Sequence, residues 1–142
     1  MHRLDRERFN RGAFAITTDV QIGAGDLDDR GHVNNVAVTG LLQQARFDFN
    51  HRANIARYVE RGSAAASLHI EFVAQIHGAA PLIVNTGVMS IGRRSYTLAQ
   101  VASQDGRTRV YCQIVLVLLE DGRTAAIPNG MRSTLERCLI KL

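Results

Sequence analysis

From Gly25 to Phe49 the chain reads GDLDDRGHVNNVAVTGLLQQARFDF, and this stretch decides the fold. Its first half, Asp26-Leu27-Asp28-Asp29-Arg30-Gly31, is a carboxylate-rich loop ending in glycine. Glycine is the residue that most easily takes the positive φ of a tight turn. In the second half Val38, Leu41, Leu42, Ala45 and Phe49 recur at spacings of three and four, the stripe of one helix face. The pattern predicts a helix from about Asn34 to Asn50, with Asn34 as N-cap because its short side chain accepts from a first-turn N–H. Carboxylates then lie beside the donor-rich, positive end of a helix, where a polarised carbonyl or an anion is held well.

Asp28-x-x-Gly31-His32-Val33-Asn34-Asn35, followed by an apolar helix carrying Ala45-Arg46, resembles the hotdog-fold acyl-CoA thioesterases of the 4-hydroxybenzoyl-CoA thioesterase type. The resemblance implies an α+β hotdog fold, an antiparallel sheet wrapped around one long central helix. It implies a catalytic aspartate at Asp28 and a backbone N–H at Asn35 that polarises the thioester carbonyl, with Gly31 aiming that N–H. It also implies a homodimer or homotetramer. Three positions depart from the family pattern: Val38 stands where a tyrosine is common, Gln43 where a glutamate is, and Ala80 where an acidic residue often precedes the next strand. Val38 and Gln43 leave the helix face less polar and bear on the acyl group accepted.

Working outward, the 142 residues predict a single domain over 1–142, with the charged stretch MHRLDRERFNRG at 1–12 read as a flexible arm. Alternating apolar and β-branched residues predict a strand within Ala13–Gly23. His51–Glu60 continues or restarts the helix, and Gly62 ends it. The period then becomes two, with Leu68, Ile70, Phe72, Ala74 and Ile76 on one face. Gly78-Ala79-Ala80-Pro81 turns the chain, and strands follow over Leu82–Ile91, Ser95–Ser103 and Thr108–Leu119. Asp105-Gly106 is a hairpin signal, Asp121-Gly122 marks another turn, and Asn129–Cys138 closes with a short helix. Short connections imply antiparallel neighbours, so the order independently points to an α+β sheet on one helix. One helix cannot cover such a sheet fully, and a second copy is the natural cover.

Composition excludes several classes. The net charge of +4 comes from 16 arginines and one lysine, dispersed, with 6% aromatics and no tryptophan. A nucleic-acid face would want a basic stripe interleaved with stacking rings, so no nucleic-acid partner is expected. No stretch approaches the roughly 20 apolar residues of a membrane span. Nor does an apolar run follow the N-terminal arginines, so a cytoplasmic protein is expected. Cys112 and Cys138 make neither a disulfide framework nor a metal spacing, and no metal or separate cofactor is expected, coenzyme A being part of the substrate.

Thioester hydrolysis needs a nucleophile, or a base activating water, beside a group that stabilises the oxyanion. Asp28 serves either role, with Asp26 and Asp29 as alternatives one turn position away. His32 reads as a substrate contact or acid, or equally as a turn-stabilising residue, and Asn34 as a cap lining the site. Gly92-Arg93-Arg94-Ser95-Tyr96 resembles the basic turn that these thioesterases place near the coenzyme A phosphates. Guanidinium forks suit phosphate, though a solvated hairpin tip has the same composition. His69-Ile70-Glu71 lacks the Pro-Cys-x-x-Cys of zinc deaminases and reads as one polar strand face. The function expected is hydrolysis of an acyl-CoA or acyl carrier protein thioester. A non-catalytic acyl-CoA binder and a hotdog hydratase or dehydratase using His32 as base are the alternatives.

Overall fold

The computed structural model describes residues 3–142. Its centre is helix α2 (Asn35–Arg52), capped by Asn34, whose side chain accepts from the Ala37 N–H at 2.8 Å. The expected stripe is the buried one: Val38, Leu41, Leu42, Ala45 and Phe49, each at most 2% exposed. Each large apolar side chain so buried contributes ~1.5–3 kcal/mol relative to an exposed one.

The strands are β1 (Ile16–Val20), β2 (Ser63–Phe72), β3 (Leu82–Ile91), β4 (Ser95–Gln104), β5 (Arg107–Glu120) and the short β6 (Arg123–Ala125). They form one antiparallel sheet in the order β1-β3-β4-β5-β2, with β6 pairing with β5. Side chains alternate across it. Tyr96, Leu98, Ala102, Val110, Cys112 and Ile114 pack with α2, whereas Ala99, Val101 and Tyr111 face the other way. Asp105-Gly106 and Asp121-Gly122 take positive φ at both positions, the geometry of two-residue hairpin turns whose twist matches the strands. The remaining helices are α1 (Arg6–Arg11), α3 (Ala56–Val59) and α4 (Asn129–Arg137). The arrangement is the hotdog fold.

Three expectations need correction. The N-terminal segment, read as an arm, is docked as far as it is described; residues 1 and 2 lie outside the described residues. Phe9 meets Tyr111 edge to face at 5.7 Å, and the Tyr111 hydroxyl donates to Asn10. Glu71 accepts from the Leu4 N–H and from Arg6, both at 2.8 Å. Local charge patterning hid this, because the apolar anchors Leu4 and Phe9 are isolated in sequence and find partners only on the sheet's outer face.

The strand after Gly62 begins at Ser63 and leaves the sheet after Phe72, where the Val73 and Ala74 N–H groups both turn to the Arg109 carbonyl. Finally, β2 and β3 are not neighbours despite their short link. The segment 73–81 carries the chain from one side of the sheet to the other, past β4 and β5. That crossover builds the site.

Candidate active site

The loop before α2 is a small hairpin closed on itself. The Asp28 N–H donates to the His32 carbonyl at 2.7 Å, and Leu27 bridges to Val33. Gly31 turns the chain at φ +78°, a backbone region that disfavours other residues. Asp28 Oδ1 accepts from the backbone N–H groups of Arg30 at 2.9 Å and His32 at 3.0 Å. The His32 N–H, more than any other group, holds the carboxyl below the ordinary aspartate range, with help from Arg30. Oδ2 accepts no hydrogen bond among the described residues.

The Asn34 N–H donates to the Asp26 carbonyl, and the Asn34 side chain caps Ala37. The N–H groups of Asn35 and Val36, which have no carbonyl a turn below them, donate to nothing among the described residues. An ionised carboxylate and two free helix-start donors therefore stand within the same few residues of chain.

A cavity of about 450 Å³ lies against them, lined on one side by Asp28, His32, Asn34, Asn35 and Val38. Its other wall is the start of the crossover, Phe72–Ile76. The Val33 N–H donates to the Ile76 carbonyl at 2.8 Å, and His32 bridges to His77. Gln104, buried at the end of β4, fastens the crossover behind. Its amide donates to the carbonyls of His77 and Ala80 and its oxygen accepts the His77 N–H. Sequence reading missed Gln104 and the role of residues 73–76. A single amide in a strand carries no local signal, and a wall contributed by a crossover depends on strand order.

Asp28, His32, Asn34 and Asn35 thus share one cavity, and Gly31 shapes the turn leading into it. Asp26 does not line it; its carboxylate accepts the Gly23 N–H at 2.8 Å and closes the 3₁₀ turn Ala24–Asp26. Arg93, Arg94 and Ser95 lie elsewhere. They form the β3–β4 turn at the opposite end of strands about 30 Å long at ordinary strand rise. Arg94 donates to the Thr124 carbonyl at 2.7 Å, and both arginines are exposed. Within one chain the arginines and Asp28 are not brought together.

Elsewhere, burial pushes the Cys112 thiol up to about 11, so it is packed and unreactive. Glu71, in the His-x-Glu stretch, is occupied in holding the N-terminal segment. Among the described residues no group of three or more His, Cys, Asp or Glu is arranged to hold a metal ion. No helix among them is long and apolar enough to cross a membrane.

No curated protein sequence matches the chain. Solved structures do. A thioesterase from Thermus thermophilus, complexed with coenzyme A and zinc, superposes at TM-score 0.80 with 25% identity, covering 88% of this chain and 94% of that one. A predicted thioesterase from Bacillus stearothermophilus gives 0.79 at 23% identity, covering 87% and 95%. A 1,4-dihydroxy-2-naphthoyl-CoA thioesterase from Synechocystis gives 0.73 at 17%, covering 84% and 93%. The last two are similarities of fold. The sequence profile of the thioesterase-like superfamily matches residues 22–135, the span holding the Asp28 loop, α2 and every strand from β2 to β6. The chain belongs to the thioesterase-like superfamily.

Proposed function

We propose that this protein is an acyl-CoA thioesterase, hydrolysing an acyl thioester to the free acid and coenzyme A with Asp28 as nucleophile or general base. One observation carries the reading: the Asp28 carboxylate has one oxygen held by two backbone N–H groups and the other without a partner among the described residues, beside the Asn35 N–H, which likewise has none there. As base, Asp28 takes a proton from water while the water oxygen adds to the thioester carbon. As nucleophile, it adds itself and forms a mixed anhydride that water then opens. In both cases negative charge gathers on the carbonyl oxygen at the start of α2, where the Asn35 N–H and the helix dipole favour it. The carbon–sulfur bond breaks as that charge returns, and coenzyme A leaves as its thiolate. The His32 imidazole, with no hydrogen bond among the described residues, is a substrate contact.

The active unit contains a second copy. Among the described residues strand β2 has a free edge, and Ala64 to Leu68 are all exposed with no charge among them. Leu68 and Phe72 are 47% and 49% exposed, and Phe47 on α2 is 54% exposed. An uncharged open edge of this kind invites pairing. A two-fold partner pairing antiparallel along β2 is turned end for end. It carries the β3–β4 turn of one copy toward the Asp28 end of the other, so the partner's Arg93 and the partner's Arg94 take the coenzyme A phosphates.

Thiol release from a panel of acyl-CoA thioesters tests the reading. The expected result is hydrolysis that Asp28→Asn abolishes while the fold persists. Turnover by a folded Asp28→Asn variant at the wild-type rate would remove Asp28 from the mechanism. Inactivity of the wild type across the panel would leave an acyl-CoA binder.

A further inference from the structure

A second cavity, of about 180 Å³, lies between α2 and β2 toward the other end of the helix. Gln43, Arg46 and Asn50 line it from α2, Ser63 from β2 and Tyr96 from β4. Two of its buried polar atoms lack a partner among the described residues. These are the Tyr96 hydroxyl, on a residue 1% exposed, and Asn50 Oδ1, on a residue 9% exposed, both buried with no hydrogen-bond partner among the described residues. Arg46 makes one hydrogen bond, from Nη1 to Gln100 Oε1 at 3.0 Å, and no described carboxylate pairs with it. Gln100 is itself fully engaged, its amide donating to the Leu42 carbonyl and to Thr86. Gln43 beside Arg46 is neutral.

A partly buried guanidinium stays charged, and without a counter-charge its desolvation goes uncompensated. Burial raises Tyr96 to about 12, so its hydroxyl keeps its proton and is a donor. One cation, one unpaired hydroxyl donor and one amide free to reorient surround a space large enough for a carboxylate and a few carbons.

We propose that this cavity is a carboxylate-binding pocket, in which the Arg46 guanidinium, the Tyr96 hydroxyl and the Asn50 amide take an anion. The carboxylate has two possible sources: the far end of a dicarboxylic acyl group, or a free carboxylic acid. The first source rests on the thioesterase reading. In the end-for-end pairing along β2, this pocket of one copy is turned toward the Asp28 end of the other, the direction that a dicarboxylic acyl group would have to span.

The test uses acyl-CoA pairs of equal length with and without a terminal carboxylate: succinyl and butyryl, adipoyl and hexanoyl, suberoyl and octanoyl. Each pair is measured for thiol release and, as the non-hydrolysable thioether, for binding by titration calorimetry on the native oligomer. Free adipate and hexanoate are titrated alongside. For at least one pair the carboxylate form should be favoured by about tenfold or more, the scale of a hydrogen bond to a charged group.

Arg46→Gln should bring that ratio close to one, and Tyr96→Phe should lower it severalfold. Tyr96→Phe removes an oxygen that bonds to no described residue, so its melting temperature should hold or rise. Misfolding would depress both members of a pair alike, whereas the proposal concerns their ratio. Thioether preference that depends on Arg46, without hydrolysis, keeps the pocket and rejects the thioesterase reading. Free acid binding that depends on Arg46, without any preference among thioesters, keeps the pocket and assigns it to a free acid. Hydrolysis of all pairs with equal efficiency, together with no Arg46-dependent binding of free acid, overturns the pocket and leaves the hydrolase reading intact. Arg46 would then hold Gln100 and water alone.

Discussion

The two ends of α2 hold opposite charges under opposite conditions. At the N-terminal end Asp28 is exposed, and two backbone N–H groups stabilise its charge before any ligand arrives. Toward the C-terminal end Arg46, Tyr96 and Asn50 are more deeply set and leave polar atoms unpaired. The first is a carboxylate preorganised by its own backbone. The second carries a desolvation cost that water or an incoming partner has to offset. An end satisfied by its own backbone should show its mutational effects in rate, and an end left unsatisfied should show them in binding.

The largest expected effect breaks the first end. Asp28→Asn keeps the acceptor for the Arg30 and His32 N–H groups but removes the charge. Turnover should fall by ~10²-fold or more, the scale of lost positioned acid–base catalysis. The melting temperature should barely move, and an unreactive acyl-CoA analogue should still bind. Asp29→Asn, which does not line the cavity, should be much milder in the same assay.

Next in size, Gln104→Ala attacks the wall opposite Asp28. It strands the His77 N–H and the carbonyls of His77 and Ala80. A loss of about 2–4 kcal/mol is expected from unsatisfied buried polar groups, read from denaturant unfolding. Unchanged stability would mean that the crossover is held by its backbone contacts to Val33 alone.

Arg93→Ala and Arg94→Ala sharpen the comparison between a copy and its partner. The Michaelis constant for acyl-CoA should rise severalfold with turnover nearly kept, because phosphate contacts are shared by ground and transition states. A truncated thioester without the nucleotide should be indifferent. Equal losses on both substrates would make Arg94 a brace for the Thr124 carbonyl, as its hydrogen bond already suggests.

The smallest effects come from pH. Asp28 is depressed below its ordinary 3.8, so kcat/KM should show no acid limb from it until the pH falls below that value. An acid limb near neutrality would assign the essential base to another group. Glu71 is likewise depressed below its ordinary 4.5, chiefly by the Leu4 N–H and Arg6. A group lowered on folding contributes stability that is present above its unfolded value and lost as pH falls through the folded one. Below about pH 4.5 the N-terminal segment should therefore loosen before the rest. Hydrogen exchange at Leu4–Gly12 reads this directly, and protection unchanged in acid would mean that Phe9 on Tyr111 suffices.

Much of this molecule is legible from residues close together in the chain. The stripe Val38–Phe49, the Asn34 cap, the Gly31 turn and the two Asp-Gly hairpins are local patterns. Their causes, a helical period, a short side chain near a free N–H and a left-handed φ, act within a few residues. The Asp28 carboxylate and the Asn35 donor belong to the same stretch, so their proximity follows from sequence as well. Tertiary structure alone decided that β2 joins β5 instead of β3. It also decided that the crossover walls the site, that Gln104 clamps it, and that Leu4 and Phe9 dock. Those outcomes turn on which apolar faces and unpaired backbone groups meet across long separations, and no local period encodes a partner. The unpaired state of Arg46 is of the same kind: its sequence neighbours are ordinary, and the absence of a described counter-charge emerges only once the chain has closed around it.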